Sequence, residues 1–599
     1  MLPALLWTLL AAAATPAEWP SWSADPEASH YSPLDQINRS NVARLKIAWT
    51  YHTGDKRDRP QTTIECTPIV VDGVMYVTTA QLKAVALEPA TGKRLWEFDP
   101  EQPGNRGVNR GVAYWSNGDD KRVFYVVGTR LICLNARTGR PVPGFGNEGF
   151  LDLTKGLDRD IGAQTYTVSS PGSIYQNLII LGSTMGEGPR PSAPGHIRAF
   201  DARTGKQTWI FHTIPHPGEF GHETWEAEAW KTAGAANNWG GMSVDHKRGR
   251  VFVSTGSAAF DFYGGQRRGD NVFANSVIAL DAATGKRVWH FQTVHHDVWD
   301  YDIPCPPNLV AITRDGRKLD AVAQVTKTGL VFVFDRETGQ PIFGVEERPV
   351  PASGLPGERL SPTQPFPLKP PPFSPQKYEP ANISPEARAW VLEQLKTVRA
   401  GNIFTPPSRE GTVVLPGFHG GALWGGAAFD PQTGRLYVTS NNVPWILTMV
   451  PARPGAAYPF DHDGYKRFED PAGYPAVKPP WGQLHAIDLN RGEIAWQATV
   501  GEHPELKARG VPPTGTELIG GAIVTGGGVV FLGASKDEMF RAFDAGTGKV
   551  LWETLLEAGA YATPATYQVS GKQYVVVAAG GGGKQRTKSG DAFVAFALP

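Results

Sequence analysis

The stretch Asp281-Ala-Ala-Thr-Gly-Lys-Arg-Val-Trp289 is the clearest copy of a phrase that recurs along the chain. An acidic or polar residue is followed by two spacers, Thr-Gly, three spacers and a large apolar residue. The same offset links Glu88 to Trp96, Asp201 to Trp209, Asp488 to Trp496 and Asp544 to Trp552. Asp335 reaches Phe343 in this way, and Asn135 reaches Pro143. The Asp488 copy, Asn490-Arg491-Gly492, keeps the Gly without the Thr. Trp49 has no Thr-Gly before it but lies in a similar segment, Leu45-Lys-Ile-Ala-Trp49-Thr-Tyr51.

A short apolar strand precedes the phrase, as in Ser276-Val-Ile-Ala-Leu280 and His196-Ile-Arg-Ala-Phe200. Asp bonds its own backbone two residues on and Gly accepts a positive φ, so the phrase turns the chain tightly. The strand carrying the Trp returns. Such a hairpin, repeated at intervals of roughly 40–50 residues, predicts a β-propeller rather than a helical solenoid.

If the Trp strand ends each blade, blades end at Trp96, Pro143, Trp209, Trp289, Phe343, Trp496 and Trp552, seven in all. Three more strands follow, Ala565–Val569, Gln573–Ala578 and Ala592–Ala597, with no Trp strand after them. The Trp49 strand, conversely, has no blade before it. Joining the two ends makes an eighth blade and hides edges an open sheet would expose. The expected fold is an all-β, eight-bladed propeller closed by N- and C-terminal strands, spanning 18–599 as one domain.

The composition fits many turns, with 68 Gly and 51 Pro, and the repeat and Trp49 together use six of the 18 Trp. Lys+Arg at 58 balance Asp+Glu at 58, which argues against nucleic acid as a partner. Residues 1–17 hold a short apolar run, Leu2 to Ala14, then Thr15-Pro-Ala17, and read as a secretory signal peptide. Export to the periplasm is expected, free or peripheral to the inner membrane. No later run is long enough to span a bilayer. Cys66, Cys133 and Cys305 form no C-x-x-C and are expected as small buried hydrophobes, the alternative being one disulfide that the sequence does not pair.

Several polar residues sit where apolar ones are expected. Glu65 lies in Thr63-Ile-Glu-Cys-Thr-Pro68, a strand-like segment, where an unpaired carboxylate is costly. Lys327 interrupts the apolar region Ala323 to Phe334 and needs a partner. Arg110, between a turn and an apolar strand, reads alone as structural. The richest stretch is Gln292-Thr-Val-His-His-Asp-Val-Trp-Asp-Tyr-Asp302. Its two His and three Asp suit a metal or catalytic site, and equally a polar loop bonded to backbone.

In several segments the chain resembles the pyrroloquinoline-quinone (PQQ) dependent dehydrogenases, which include alcohol and membrane glucose types. The Thr-Gly…Trp phrase resembles that family's tryptophan-docking repeat. Val108-Asn-Arg-Gly-Val112, Gly182-Ser…Gly186-Glu187, Asn238-Trp239-Gly240, His295-His-Asp-Val-Trp-Asp300-Tyr-Asp-Ile-Pro304 and Lys327-Thr-Gly329 resemble its site segments in order. Ile403-Phe-Thr-Pro-Pro-Ser408 and Gly590–Pro599 are similar to the glucose type. The resemblance implies Asp300 as catalytic base, with Lys327 on the quinone oxygens. It implies Glu65, Arg110, Ser170, Trp239, Lys327 and Trp424 as cofactor-binding residues. Glu187, Ser257 and Asp300 would hold a hard cation, Ca2+ or Mg2+. It further implies an alcohol or sugar substrate and a separate electron acceptor, a cytochrome c or a membrane quinone.

The chain also departs from those patterns. Alcohol types carry adjacent cysteines where this chain reads Pro103-Gly-Asn-Arg106, and the glucose type has a His where Arg106 falls. Ser257 stands where alcohol types place a metal-binding Asn. Blade six spreads 152 residues between Phe343 and Trp496, with insertions at about 346–402 and 444–480. A helix is expected from Pro385 to Val398, capped by Ser384. These insertions are expected to cover the cofactor face, the plainer reading being surface decoration. The alternative function is a non-enzymatic scaffold of the bacterial envelope, which needs none of these site residues.

Overall fold

The computed structural model of the protein describes residues 18–101 and 107–599. The expected signal peptide and the Pro103–Arg106 segment lie outside the described residues. Seven stretches in chain order, 69–98, 113–152, 173–211, 242–292, 308–335, 427–499 and 523–555, each contribute one antiparallel sheet; within 173–211 and 427–499 short intervening strands, Thr184–Met185 and those between Trp445 and Arg467, pair elsewhere. An eighth sheet joins Ala565–Val569, Lys572–Gly581 and Ser589–Ala597 to Lys46–His52 from the other end of the chain. Tyr31–Ser32 adds to the seventh sheet in parallel beside Ile523–Thr525.

The recurrent phrase forms the turn between the last two strands of a sheet. The Asp281 carboxylate accepts from the Thr284 N–H at 3.0 Å and its hydroxyl at 2.8 Å, and the Gly285 N–H closes on the Asp281 carbonyl. Asp201, Asp335 and Asn135 repeat this with Thr204, Thr338 and Thr138. The Gly has a second role that φ alone does not reveal. A Cβ on Gly285 would sit 2.5 Å from the indole of Trp209, the Trp of the preceding sheet. The Trp209 indole N–H then donates to the Ala282 carbonyl in the same turn.

This contact passes from each sheet to the next. Trp49 lies on Gly92, Trp96 on Gly139, Trp289 on Gly339, and Trp496 on Gly548. Their indole N–H groups donate to Pro89, Ala136, Arg336 and Ala545 carbonyls. Phe343 packs on Gly492. Trp552, facing a sheet without such a turn, meets Phe596 edge-on at 5.2 Å. Gly285→Ala combines a left-handed backbone (φ +72°) with a blocked Trp. It should destabilise by about 2–4 kcal/mol. Gly316→Ala, with similar φ but open space around it, should lose only the backbone share. Thermal melting of the two variants separates these effects.

Two expected blade ends are corrected. Pro143 carries neither a strand nor the docking contact. Pro141 and Pro143 lack the N–H a ladder needs. The chain therefore turns through 142–149 and pairs Phe150–Asp152 with Arg130–Ile132 instead. Phe145, not Pro143, packs on Gly205. Likewise Pro341 opens the segment to Phe343, and the fifth sheet keeps only three strands. The expected helix is real but shorter, Pro385–Gln394, with Ser384 accepting from the Ala387 N–H at 3.1 Å. All three cysteines are free and buried.

Candidate active site

The start of the first strand and the end of the second lie at the same edge of an antiparallel sheet. Nearly every expected site residue occupies one of these two places. Glu65, Arg110, Ser170, Trp239, Asp300 and Trp424 precede first strands, while Glu187, Ser257 and Lys327 follow second strands. They converge on one cavity of about 960 Å³ lined by all of these except Ser170, which joins it through Arg110.

Arg110 is the buried hub of one wall. Its guanidinium lies 3.1 Å from the Glu65 carboxylate and donates to Ser169 at 2.8 Å, Ser170 at 3.1 Å and the Trp239 carbonyl at 3.2 Å. It faces the rings of Trp424 and Trp239 at 4.8 and 5.3 Å. Burial lowers its pKa, and the Glu65 charge partly offsets this. Glu65 and Lys327 thus have the partners that their apolar surroundings demanded.

Lys327 is the hub of the opposite wall. Its ammonium donates to the Asp300 carboxylate at 2.7 Å and carbonyl at 3.0 Å, and to Asp302 at 3.0 Å. Burial alone would lower its pKa, but the two carboxylates more than offset this and hold it above the ordinary lysine value. Burial likewise pushes Asp302 up, but Lys327, the Ser257 N–H and the Trp239 indole N–H at 3.0 Å outweigh it and keep that carboxyl low. Asp300 goes the other way. Burial, with the charges of Asp302 and Glu187, raises it well above the carboxylate range despite Lys327. Two neighbouring carboxylates are thereby set apart, one held ionised and one that takes up a proton readily.

Asp261 was missed in the sequence. It is 2% exposed, lines the cavity, and one carboxylate oxygen has no hydrogen-bond partner. Burial raises its pKa well above the ordinary value, and Glu187, Asp300, Asp302 and Asp297 add to this. The signal was the same as for Glu65 and Lys327, a charge inside an apolar run, here Phe260-Asp261-Phe262. Glu187 is more exposed and accepts from the Tyr465 hydroxyl at 2.7 Å. The Ser257 hydroxyl bonds Asp297.

The Gln292–Asp302 stretch divides between its two readings. Asp300 and Asp302 face the cavity. His296 instead bonds Glu358 at 2.8 Å, and His295 bonds Gln292 and Glu347. Asp297 accepts from the Trp299 and Tyr301 N–H groups. These three hold the loop and pin the first insertion. Only the second insertion lines the cavity, through Trp445, Tyr465 and Arg467.

Repeated β-sheets around a cavity with paired and unpaired carboxylates, a buried Lys and two indoles define a cofactor-dependent enzyme of the β-propeller class. The family model "PQQ: Glucose/ethanol/alcohol dehydrogenase, beta-propeller domain" matches residues 19–575, and the chain belongs to that family of oxidoreductases. It is 34% identical to "Quinoprotein glucose dehydrogenase A" of Acinetobacter calcoaceticus, over 97% of this chain and 79% of the relative. It is 33% identical to "Glycerol dehydrogenase large subunit" of Gluconobacter oxydans (strain 621H), over 98% and 86% of the two chains. The quinohemoprotein alcohol dehydrogenase of Comamonas testosteroni superposes with a TM-score of 0.73 at 27% identity, over 97% of this chain and 80% of that one. Membership in an enzyme family sets the scaffold reading aside.

Proposed function

We propose that the protein oxidises an alcohol, polyol or aldose with PQQ and a hard divalent cation, calcium or magnesium. The observation that carries this reading is the Asp300–Lys327–Asp302 group beside an unpaired, buried Asp261 in the family's cavity. The residues fit the two groups. Glu187, Asp261 and Asp300 are oxygen donors of the kind hard cations take, and the orphaned Asp261 oxygen calls for a positive partner. We assign the third ligand place to Asp261 rather than Ser257, whose hydroxyl is committed to Asp297. Trp239 and Trp424 offer flat apolar faces to a planar quinone, and Arg110, held by Glu65, Ser169 and Ser170, offers its charge to a carboxylate. Cavities of this size hold small cofactors and substrates.

A quinone held by Trp239, Trp424 and Arg110 would supply the two-electron acceptor for a hydride from the alcohol carbon, with a carbonyl compound as product. Asp300 takes the substrate hydroxyl proton, a role its raised pKa suits. Lys327 supports that base and places an ammonium where negative charge develops. Asp302 keeps Lys327 charged, fixes the Trp239 ring through the indole N–H, and accepts from the Ser257 N–H. The second insertion contributes Trp445 and Tyr465 to the cavity wall.

We further propose that the eight sheets are the blades of one closed propeller over 18–599. The Trp-on-Gly contacts and the pairing of 46–52 with 589–597 support this. Residues 1–17 would direct export to the periplasm, and electrons would leave to a separate cytochrome c or membrane quinone. No helix among the described residues is long and apolar enough to cross a membrane.

Titrating metal-free protein with PQQ, with and without Ca2+, tests the central reading. Saturable, cation-dependent changes in quinone absorbance and dye reduction with sugars or alcohols are expected. Absence of binding at any cation concentration would sink it.

A further inference from the structure

Five cationic side chains line the cavity: Arg110, Lys327, Arg467, Lys584 and Arg586. Three of them already have a carboxylate partner. Arg110 pairs with Glu65, Lys327 with Asp300 and Asp302, and Arg467 with Glu517 at 2.7 Å. Glu517 also bonds His419 and lies 3.5 Å from the Lys536 ammonium. The Lys584 ammonium and the Arg586 guanidinium have neither an ion pair nor a side-chain hydrogen bond among the described residues. Both are exposed toward the cavity.

The backbone that presents them is closely packed. It follows the long strand Lys572–Gly581 through a short turn, Gly583–Gln585. A Cβ on Gly581 would meet the Lys588 carbonyl at 2.0 Å, and one on Gly582 the Thr62 carbonyl at 2.1 Å. Arg467 donates to the Lys584 carbonyl at 3.3 Å, and Gln585 to the Glu517 carbonyl at 3.1 Å. Arg586 itself sits in the left-handed region, φ 56° and ψ 33°, which disfavours residues other than Gly, Asn and Asp. A long cation is therefore placed in an unfavourable backbone position, beside a second one, at the wall of a substrate cavity. Strain of this kind clusters at ligand sites.

We propose that the substrate is an anionic alcohol, with a hydroxyl for Asp300 and a carboxylate or phosphate received by Lys584 and Arg586. The proposal rests on the dehydrogenase reading and narrows it. The guanidinium fork suits either anion, and Lys584 adds a point charge. Such contacts are made equally before and during reaction, so they act on KM more than on kcat.

The test uses PQQ- and Ca2+-loaded protein with matched pairs: gluconate and glucose, glycerate and glycerol, glucose 6-phosphate and glucose. At low salt, kcat/KM for at least one anionic partner should exceed its neutral parent by tenfold or more. That ratio should shrink as salt is added. In the double variant Lys584→Gln, Arg586→Gln it should fall toward one, through KM. The sugar acid and the sugar phosphate report which anion is preferred. Neutral parents equal to or better than every anion would overturn the proposal, as would a preference that survives the double variant. A double variant whose PQQ affinity drops alongside every substrate would assign the two cations to the cofactor instead. Failure of the wild-type protein to bind PQQ at all would remove the underlying reading, an outcome distinct from binding PQQ and favouring neutral alcohols.

Discussion

With Ca2+ held saturating, because a proposed ligand also changes, Asp300→Asn should leave PQQ binding largely intact and lower kcat by about 10²-fold or more, the usual scale for losing a general base. The substitution is close to isosteric. Asp300 has a positive φ of 59°, and Asn is among the few residues that tolerate that region. The backbone and the Lys327 contact to the Asp300 carbonyl should therefore survive. Lys327 keeps Asp302 as a counter-ion at 3.0 Å, so the variant does not strand a buried ammonium. Its quinone titration should resemble wild type while single-turnover rates collapse. Near-normal turnover would remove Asp300 from the role of base.

Asp261→Asn should act in two opposite directions. The folded pKa of Asp261 lies well above its ordinary 3.8, chiefly through burial. The native state therefore holds a proton that the unfolded state has lost above about pH 4. In the metal-free protein this lowers stability as pH rises from there toward the folded pKa. Asn cannot ionise, so the metal-free variant should melt higher than wild type at neutral pH, by the order of 1 kcal/mol. The two should converge near pH 3–4, where both states of the wild type are protonated. Cation binding should weaken by about 10²-fold, since a ligating carboxylate is lost. Wild type should also release protons on binding Ca2+, and bind more tightly as pH rises, because only the ionised carboxylate ligates. Calorimetry in two buffers of different ionisation enthalpy reads the proton count. Unchanged Ca2+ affinity and proton release in the variant would exclude Asp261 as a ligand.

What the sequence disclosed divides along physical lines. Local chemistry was legible: the Asp-x-x-Thr-Gly turn is made by atoms within four residues of one another, and so is the Ser384 cap. Burial contradictions were legible too, since Glu65 and Lys327 stood out against apolar neighbours. Asp261 carried the same mark between two Phe and was passed over. Contacts between distant segments were not legible. Nothing near Gly285 announces that Trp209 lies on it, and nothing near His296 names Glu358. The missing strand at Pro143 was legible as well, because two prolines in three residues, Pro141 and Pro143, cannot supply a ladder.

The pairing of 46–52 with 589–597 has a consequence for how the molecule comes into being. The early strand has no partner until the last segment is made. At ribosomal rates of about 5–20 residues per second, more than five hundred intervening residues impose a wait of roughly half a minute to two minutes. During that interval the nascent chain cannot lock itself shut. If residues 1–17 direct export as proposed, such a delay suits a chain threaded unfolded through a translocation pore. On that proposal the strand at 589–597 acts as a timer, and final assembly would follow delivery rather than precede it.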